Sequence, residues 1–204
     1  MSMMERMLGG ELYIAGDPEL AAAHARAQGL LERFNATSHE QRALRTELLQ
    51  QLLGSMGDGV VIKPTLRCDY GFTISIGART FINYDCVILD VVEVEIGADC
   101  QLATRVQLLT ATHPIDPVAR RAGWESGEPI VIGDNVWLGG GVIVLPGVTV
   151  GDDTVVGAGS VVTRSLPSGV VAAGSPARPI REITQSDRVA IPQLGHRRDD
   201  HGDD

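Results

Sequence analysis

The sequence predicts a mainly β chain, wound as a parallel β-helix behind a helical segment, and three observations carry that prediction. Aliphatic residues recur every six positions at Ile132, Leu138, Val144, Val150, Val156 and Val162. Helices repeat near 3.6 and strands at 2, so a sustained six requires a chain that turns a corner after each short strand. Glycine often follows the aliphatic residue (Gly133, Gly139, Gly151, Gly157), and a small or β-branched residue stands four on (Val136, Val142, Val148, Thr154, Ser160). Corners favour glycine and interiors favour aliphatic mass. The composition agrees: aromatics make up 4% of the chain and there are 24 glycines, as a narrow prism with many corners requires. Three sides give a coil of about 18 residues, with coils stacked about 4.8 Å apart.

Taken in order, residues 1–57 form a helical cap. Asp17, Pro18 and Glu19 read as N-cap, first-turn proline and first-turn acid, and Leu20, Ala23, Ala27, Leu30, Leu31 and Phe34 follow on one face. A second helix is expected from Ser38, with Gln41 three later as a capping box, a stripe of Leu44, Leu48, Leu49 and Leu52, and a stop at Gly54. Both stripes are expected to cover the open end of the prism. Residues 58–173 form the prism. Its phase slips by two between Ile74 and Ile76 and again between Val94 and Ile96, as bulged corners. Residues 111–129 have prolines, glycines and charges without a period, and are expected to project as an external loop. Residues 174–185, GSPARPIREI and its surroundings, are expected to leave the prism as a short basic helix. Residues 186–204 read as a disordered tail.

A net charge of −9 argues against nucleic acid as a partner, while leaving room for a local anion site. No stretch approaches a membrane span and no signal-like run opens the chain, so a cytoplasmic protein is expected. Cys68, Cys86 and Cys100 form no CxxC pair and fall at inward positions, as buried structural thiols do.

The hexapeptide repeats, the THP loop, the segments RCDYG and NYDCVILD, the run VWLGGGVIVLPGVTVGDDTVVGAGSVVT and the ending AAGSPARPIREI resemble the maltose and galactoside O-acetyltransferases, including nodulation-protein-L-like members. The resemblance spans nearly all of residues 5–185. It implies a left-handed coil, a homotrimer and active sites between subunits; period six is silent on hand, and general chain chirality favours the right. It also implies an enzyme, an acetyl-CoA-dependent O-acetyltransferase acting on a hydroxyl of a sugar or similar small molecule, with no metal.

His113 of the THP motif is then the catalytic candidate. Transfer from a thioester to a hydroxyl needs a base near neutral pH and afterwards a donor to the leaving thiolate, and one imidazole can serve as both. His24, His39, His196 and His201 lie in the cap or tail. Asp69, Asn83 and Asp90 match the acceptor-lining segments; an amide such as Asn83 offers both a donor and an acceptor to sugar hydroxyls. The N-terminal acceptor-binding aspartate of the galactoside enzymes aligns with Ala15 here, which leaves the acceptor unnamed. Trp137, Gly140, Ala158, Thr163, Arg164, Arg178 and Arg181 match the acetyl-CoA groove, the arginines suiting its phosphates. Glycine stands at 140 where the family often has serine, so only a backbone N–H remains there to steady the thioester oxygen. Two other readings share the fold: an acyltransferase for an antibiotic, an amino sugar or serine, and a non-catalytic trimeric scaffold. A zinc site of about three histidines is poorly served by one coil-region histidine.

Overall fold

The computed structural model describes residues 1–190; the tail assigned from the sequence to 186–204 lies outside those residues beyond position 190. Three parallel sheets form the faces of a prism. The first face stacks Ser55–Met56, Ile74–Ile76, Val94–Ile96, Ile130–Ile132 and Thr149–Val150. On the second lie Val61–Ile62, Phe81–Ile82, Gln101–Leu102, Trp137–Leu138, Val155–Val156 and Val170–Gly174. The third carries Leu66–Cys68, Cys86–Leu89, Gln107–Leu109, Ile143–Val144 and Val161–Val162. Every member of the six-residue aliphatic series is buried, and so are the residues four on from each. The glycines after them are demanded by close stacking: a Cβ on Gly139 would meet the amide of Ala158 at 2.6 Å.

Register explains the phase slips. Val61 lies over Phe81 and Phe81 over Gln101, a step of 20, whereas Trp137 lies over Val155, a step of 18. The two extra residues all fall between the third face and the first, so one edge of the prism is bulged. The external loop leaves from that same edge, which puts both irregularities of the repeat at one place.

The cap comprises α1 (Met3–Leu8), α2 (Pro18–Asn35) and α3 (Arg42–Leu52). As expected, Asp17 caps α2, its carboxylate accepting from the amide of Glu19. Buried Leu30, Leu31 and Phe34 of α2 and Leu48, Leu49 and Leu52 of α3 join the prism core over its first coil. The exposed edge of that coil is also satisfied: Asn35 exchanges two hydrogen bonds with the backbone of Leu66, and Gln28 donates to the carbonyl of Cys68. The capping box expected at Ser38 is half formed. The Gln41 side chain accepts from the Ser38 amide, but the helix starts at Arg42 and no side chain caps it.

At the other end the expected basic helix is corrected. Ala177–Glu182 is a strand, antiparallel to Val170–Gly174, and a short 3-10 turn follows at Gln185–Asp187. Pro179 explains the difference, since inside a helix its ring would clash and remove a hydrogen bond. In the strand it sits at the bulge, where pairing shifts from Val171–Arg181 to Ala172–Pro179. The returning strand also closes the last coil's open edge.

Residues 111–129 are an ordered arm rather than an open loop. Ala111–Thr112 and Trp124–Gly127 form an antiparallel hairpin around α4 (Pro117–Arg121), and Tyr13–Ile14 from the cap adds a third strand. A second cluster of Met7, Tyr13, Leu20, Tyr70 and Val91 locks cap, arm and prism together.

Candidate active site

The bulged edge is held by Asp90. Its residue is fully buried and its carboxylate accepts four hydrogen bonds, from the amides of Asp69 (2.8 Å), Tyr70 (3.0 Å) and Gly71 (2.6 Å) and from the Thr73 hydroxyl (2.6 Å). Burial pushes the carboxyl up while these four donors pull it down. The resemblance placed Asp90 among the acceptor-binding residues. The structure corrects this: its oxygens are committed to the backbone of residues 69–73, so it shapes the corner. One rung on, Thr110 repeats the device, accepting from the Val91 amide and donating to Leu89.

Asp69 is half-buried at that corner, and among the described residues its carboxylate has no such partners. Burial, then Asp90, then Glu125 push its carboxyl up to about 6, against the opposing pull of His24. Glu125 and Tyr13, unsuspected from the sequence, enter here. The Tyr13 hydroxyl donates to Glu125 at 3.1 Å across 112 residues, and burial holds the phenol far above its ordinary range. Tyr70, edge-on to His24 at 6.2 Å, is pushed up to about 12 by burial and by Asp69. Because Asp69 binds its proton more tightly folded than unfolded, the stability it confers is complete below its ordinary pKa and is lost as pH rises from about 4 through about 6. Asp69→Asn is therefore expected to raise the melting temperature at pH 7 and to leave it nearly unchanged at pH 4. Equal shifts at both pH values, read by thermal melts, would refute the assignment.

His113 follows Thr112 in the arm and is exposed. Thr163 and Arg164 follow Val161–Val162 on the third face, so they share the bulged edge with Asp69, about four rungs away.

The opposite margin of the third face gathers most of the other candidates. Asn83, Ala103, Gly139 and Gly157 form one column at the edge between the second and third faces, each amide bonded to the carbonyl one coil on. Gly140 and Ala158 come next in their turns, and among the described residues the Gly140 amide has no acceptor. Gly140 is not sterically required, since a Cβ there would reach Thr104 only at 3.5 Å. Around the corner, Trp137, Val155, Val171 and Arg181 form one row across the second face. Trp137, 54% exposed, lies beside a groove of about 840 Å³ that Asn135, Asp153, Thr184 and Asp187 also line. Arg178 pairs with Ala173 near the column, and its guanidinium donates to the Ala177 carbonyl. Arg181 is not free: Asp187 takes it through two bonds of 2.8 and 2.7 Å, which hold the Asp187 carboxyl down at about 2. A phosphate at Arg181 would replace that carboxylate.

Within one chain, then, His113 and Asp69 stand on one margin of the third face, and Asn83, Gly140 and Ala158 on the other. The three cysteines are buried, and burial pushes the Cys86 thiol up to about 11. No group of three metal-ligating side chains occurs among the described residues.

A hexapeptide prism with a helical plug, a histidine-bearing arm and a glycine-lined edge beside a basic ending defines the class of hexapeptide-repeat acyltransferases. Residues 6–57 match the maltose acetyltransferase hexapeptide capping motif and residues 129–164 the bacterial transferase hexapeptide of six repeats. Nodulation protein L of Rhizobium meliloti is 51% identical over 174 residues, covering 85% of this chain and 95% of that protein. A maltose O-acetyltransferase from Clostridium difficile 630 superposes with a TM-score of 0.89 at 46% identity, covering 91% of this chain and 99% of the other. A hexapeptide-repeat acetyltransferase from Vibrio cholerae O1 biovar eltor, complexed with acetyl-CoA, superposes at 0.84 with 36% identity over 90% of this chain and all (100%) of its own. This chain belongs to the maltose/galactoside O-acetyltransferase family of acetyl-CoA-dependent enzymes. Its prism is accordingly a left-handed β-helix.

Proposed function

We propose that this enzyme transfers acetyl from acetyl-CoA to a hydroxyl of a sugar or similar small molecule by direct attack, with His113 as the base. The imidazole takes the hydroxyl proton as the oxygen bonds to the thioester carbon. The tetrahedral oxyanion is steadied by the Gly140 N–H, the carbon–sulfur bond breaks, and the imidazolium returns its proton to the departing thiolate. Asn83 and Asp69 orient the acceptor. Trp137, Ala158, Thr163, Arg164, Arg178 and Arg181 bind CoA, the pantetheine arm running along the glycine-lined edge.

The observation that carries this reading is the division of the candidates between two margins of one face. A second copy packed on the third face would set the His113 arm of one chain against the Asn83–Gly140 edge of its neighbour, and three copies close that arrangement into a homotrimer. The family membership supports it, and so do the sugar acetyltransferases among its relatives. Among the described residues no helix is long and apolar enough to cross a membrane. A cytoplasmic location would put the enzyme where acetyl-CoA is made. The test is free-thiol release from acetyl-CoA with a panel of neutral sugars, amino sugars, serine and hydroxyl-bearing antibiotics. Release with a sugar above the hydrolytic background is the expected result. Release with serine or an antibiotic alone would move the assignment within the fold, and release with none would end it.

A further inference from the structure

Between the start of α3 and the first coil lies a cavity of about 400 Å³ that neither the His113 arm nor the CoA edge uses. Leu49, Val60 and Ile62 line it with apolar surface, while Arg42, Arg45 and Lys63 bring positive charge. Among the described residues none of these three cations is ion-paired with a carboxylate. Arg45 is oriented in advance, its guanidinium donating to the Thr37 hydroxyl at 2.7 Å and carbonyl at 3.1 Å. In a chain of net charge −9, three cations left without carboxylates around one concavity create a local positive field, and a cavity of this size holds a small organic ligand. The complementary ligand is an anion with an uncharged body.

Register places the cavity beside the acceptor candidate Asn83. Val61 lies over Phe81 and Ile62 over Ile82, and the Lys63 amide donates to the Ile82 carbonyl at 2.9 Å. Lys63 therefore stands one rung, about 5 Å, from Asn83, at the head of the column that continues through Ala103, Gly139 and Gly157. A donor lying along Gly157 and Gly139 approaches Asn83 from one side, and the cavity lies on the other. Resting on the acetyl-transfer reading, we infer that the cavity is an anion subsite of the acceptor. The preferred acceptor is an acidic sugar whose phosphate or carboxylate sits among Arg42, Arg45 and Lys63, with the remainder of that group over Leu49 and Ile62.

The experiment compares kcat/KM for methyl glucoside, glucose 6-phosphate and glucuronate at saturating acetyl-CoA, in the wild type and in Arg42→Glu/Lys63→Glu. At least one acidic sugar is expected to exceed the neutral one by tenfold or more, the effect of one charge-assisted contact. The better of the two anions identifies the group. The double variant should reduce that acidic-to-neutral ratio by at least tenfold, and added salt should reduce it in the wild type. CoA affinity and a melting curve verify that the variant is folded, and Lys63→Gln supplies a milder substitution if it is not. Equal rates for neutral and acidic sugars, or a preference that survives in both variants, overturn the subsite and leave the acetyl-transfer reading standing. Thiol release from no acceptor at all overturns that reading and the acceptor assignment with it. Calorimetry with glucose 6-phosphate in the absence of acetyl-CoA then shows whether the cavity binds anions independently.

Discussion

Replacing His113 with alanine is expected to lower acetyl transfer by about 10² to 10⁴ while leaving CoA affinity within twofold of the wild type. General-base assistance is worth about that factor. The remaining histidines among the described residues stand elsewhere: His24 is in α2, edge-on to Tyr70, and His39 lines the cavity at Lys63, three rungs from Gly139 in the column. CoA affinity should persist because the side chain does not belong to the column of Asn83, Gly139 and Gly157 or to the Trp137 row. Stopped assays of thiol release and calorimetry with CoA separate the two quantities. Mixing adds a second readout. His113→Ala and Asn83→Ala copies, each inactive alone, should recover turnover when unfolded and refolded together, since some sites of mixed assemblies regain both residues. Recovery absent from mixed assemblies would place both residues in a site made by one chain, contrary to their positions across the third face.

How much of this was legible beforehand depends on how local each determinant is. The faces were readable because each inward position, from Ile132 to Val162, is decided by its own strand and corner. Asp17 and Pro18 were readable for the same reason, the cap being made within two residues. The phase slips were visible too, and they marked the edge from which the arm departs. The ending was misread because a run of basic residues suits a helix, whereas its fate is set by an unpaired strand at Val170–Gly174 and by Pro179. Glu125 gave no signal, since its partner Tyr13 comes from the other end of the chain and the two meet only when the arm docks on the cap. The sequence shows Arg181 as a free cation for phosphate but not its partner Asp187, whose carboxylate is brought back by a 3-10 turn that the composition of the segment does not announce. Asp90 lies in the acceptor-lining segment, yet its carboxylate anchors the corner. Its position in NYDCVILD is outward by the six-residue count, and only the two-residue bulge turns it inward.

That bulge makes Asp90→Ala the substitution with the largest expected effect on stability. Removing the carboxylate leaves the amides of Asp69, Tyr70 and Gly71 without an acceptor, two of them buried, and takes one of the two acceptors from the Thr73 hydroxyl, which keeps the Asp90 carbonyl. Each buried donor so orphaned costs about 1 to 3 kcal/mol, less in sum once the corner relaxes toward water, so about 3 to 5 kcal/mol in total is expected. For a chain of this size that lowers the melting temperature by about 6 to 20 °C. Asp90→Asn should lose less, because one oxygen still accepts while the new NH₂ faces a donor. Thr110→Val tests the same device one rung along, where two bonds rather than four are lost, and should cost correspondingly less. The order alanine, then asparagine, then the Thr110 variant is the informative outcome. A polar residue that merely faced the acceptor would give the reverse pattern, with melting unchanged and only the acceptor KM raised. Melting curves and acceptor kinetics on the same three variants therefore distinguish a corner anchor from a ligand-binding carboxylate.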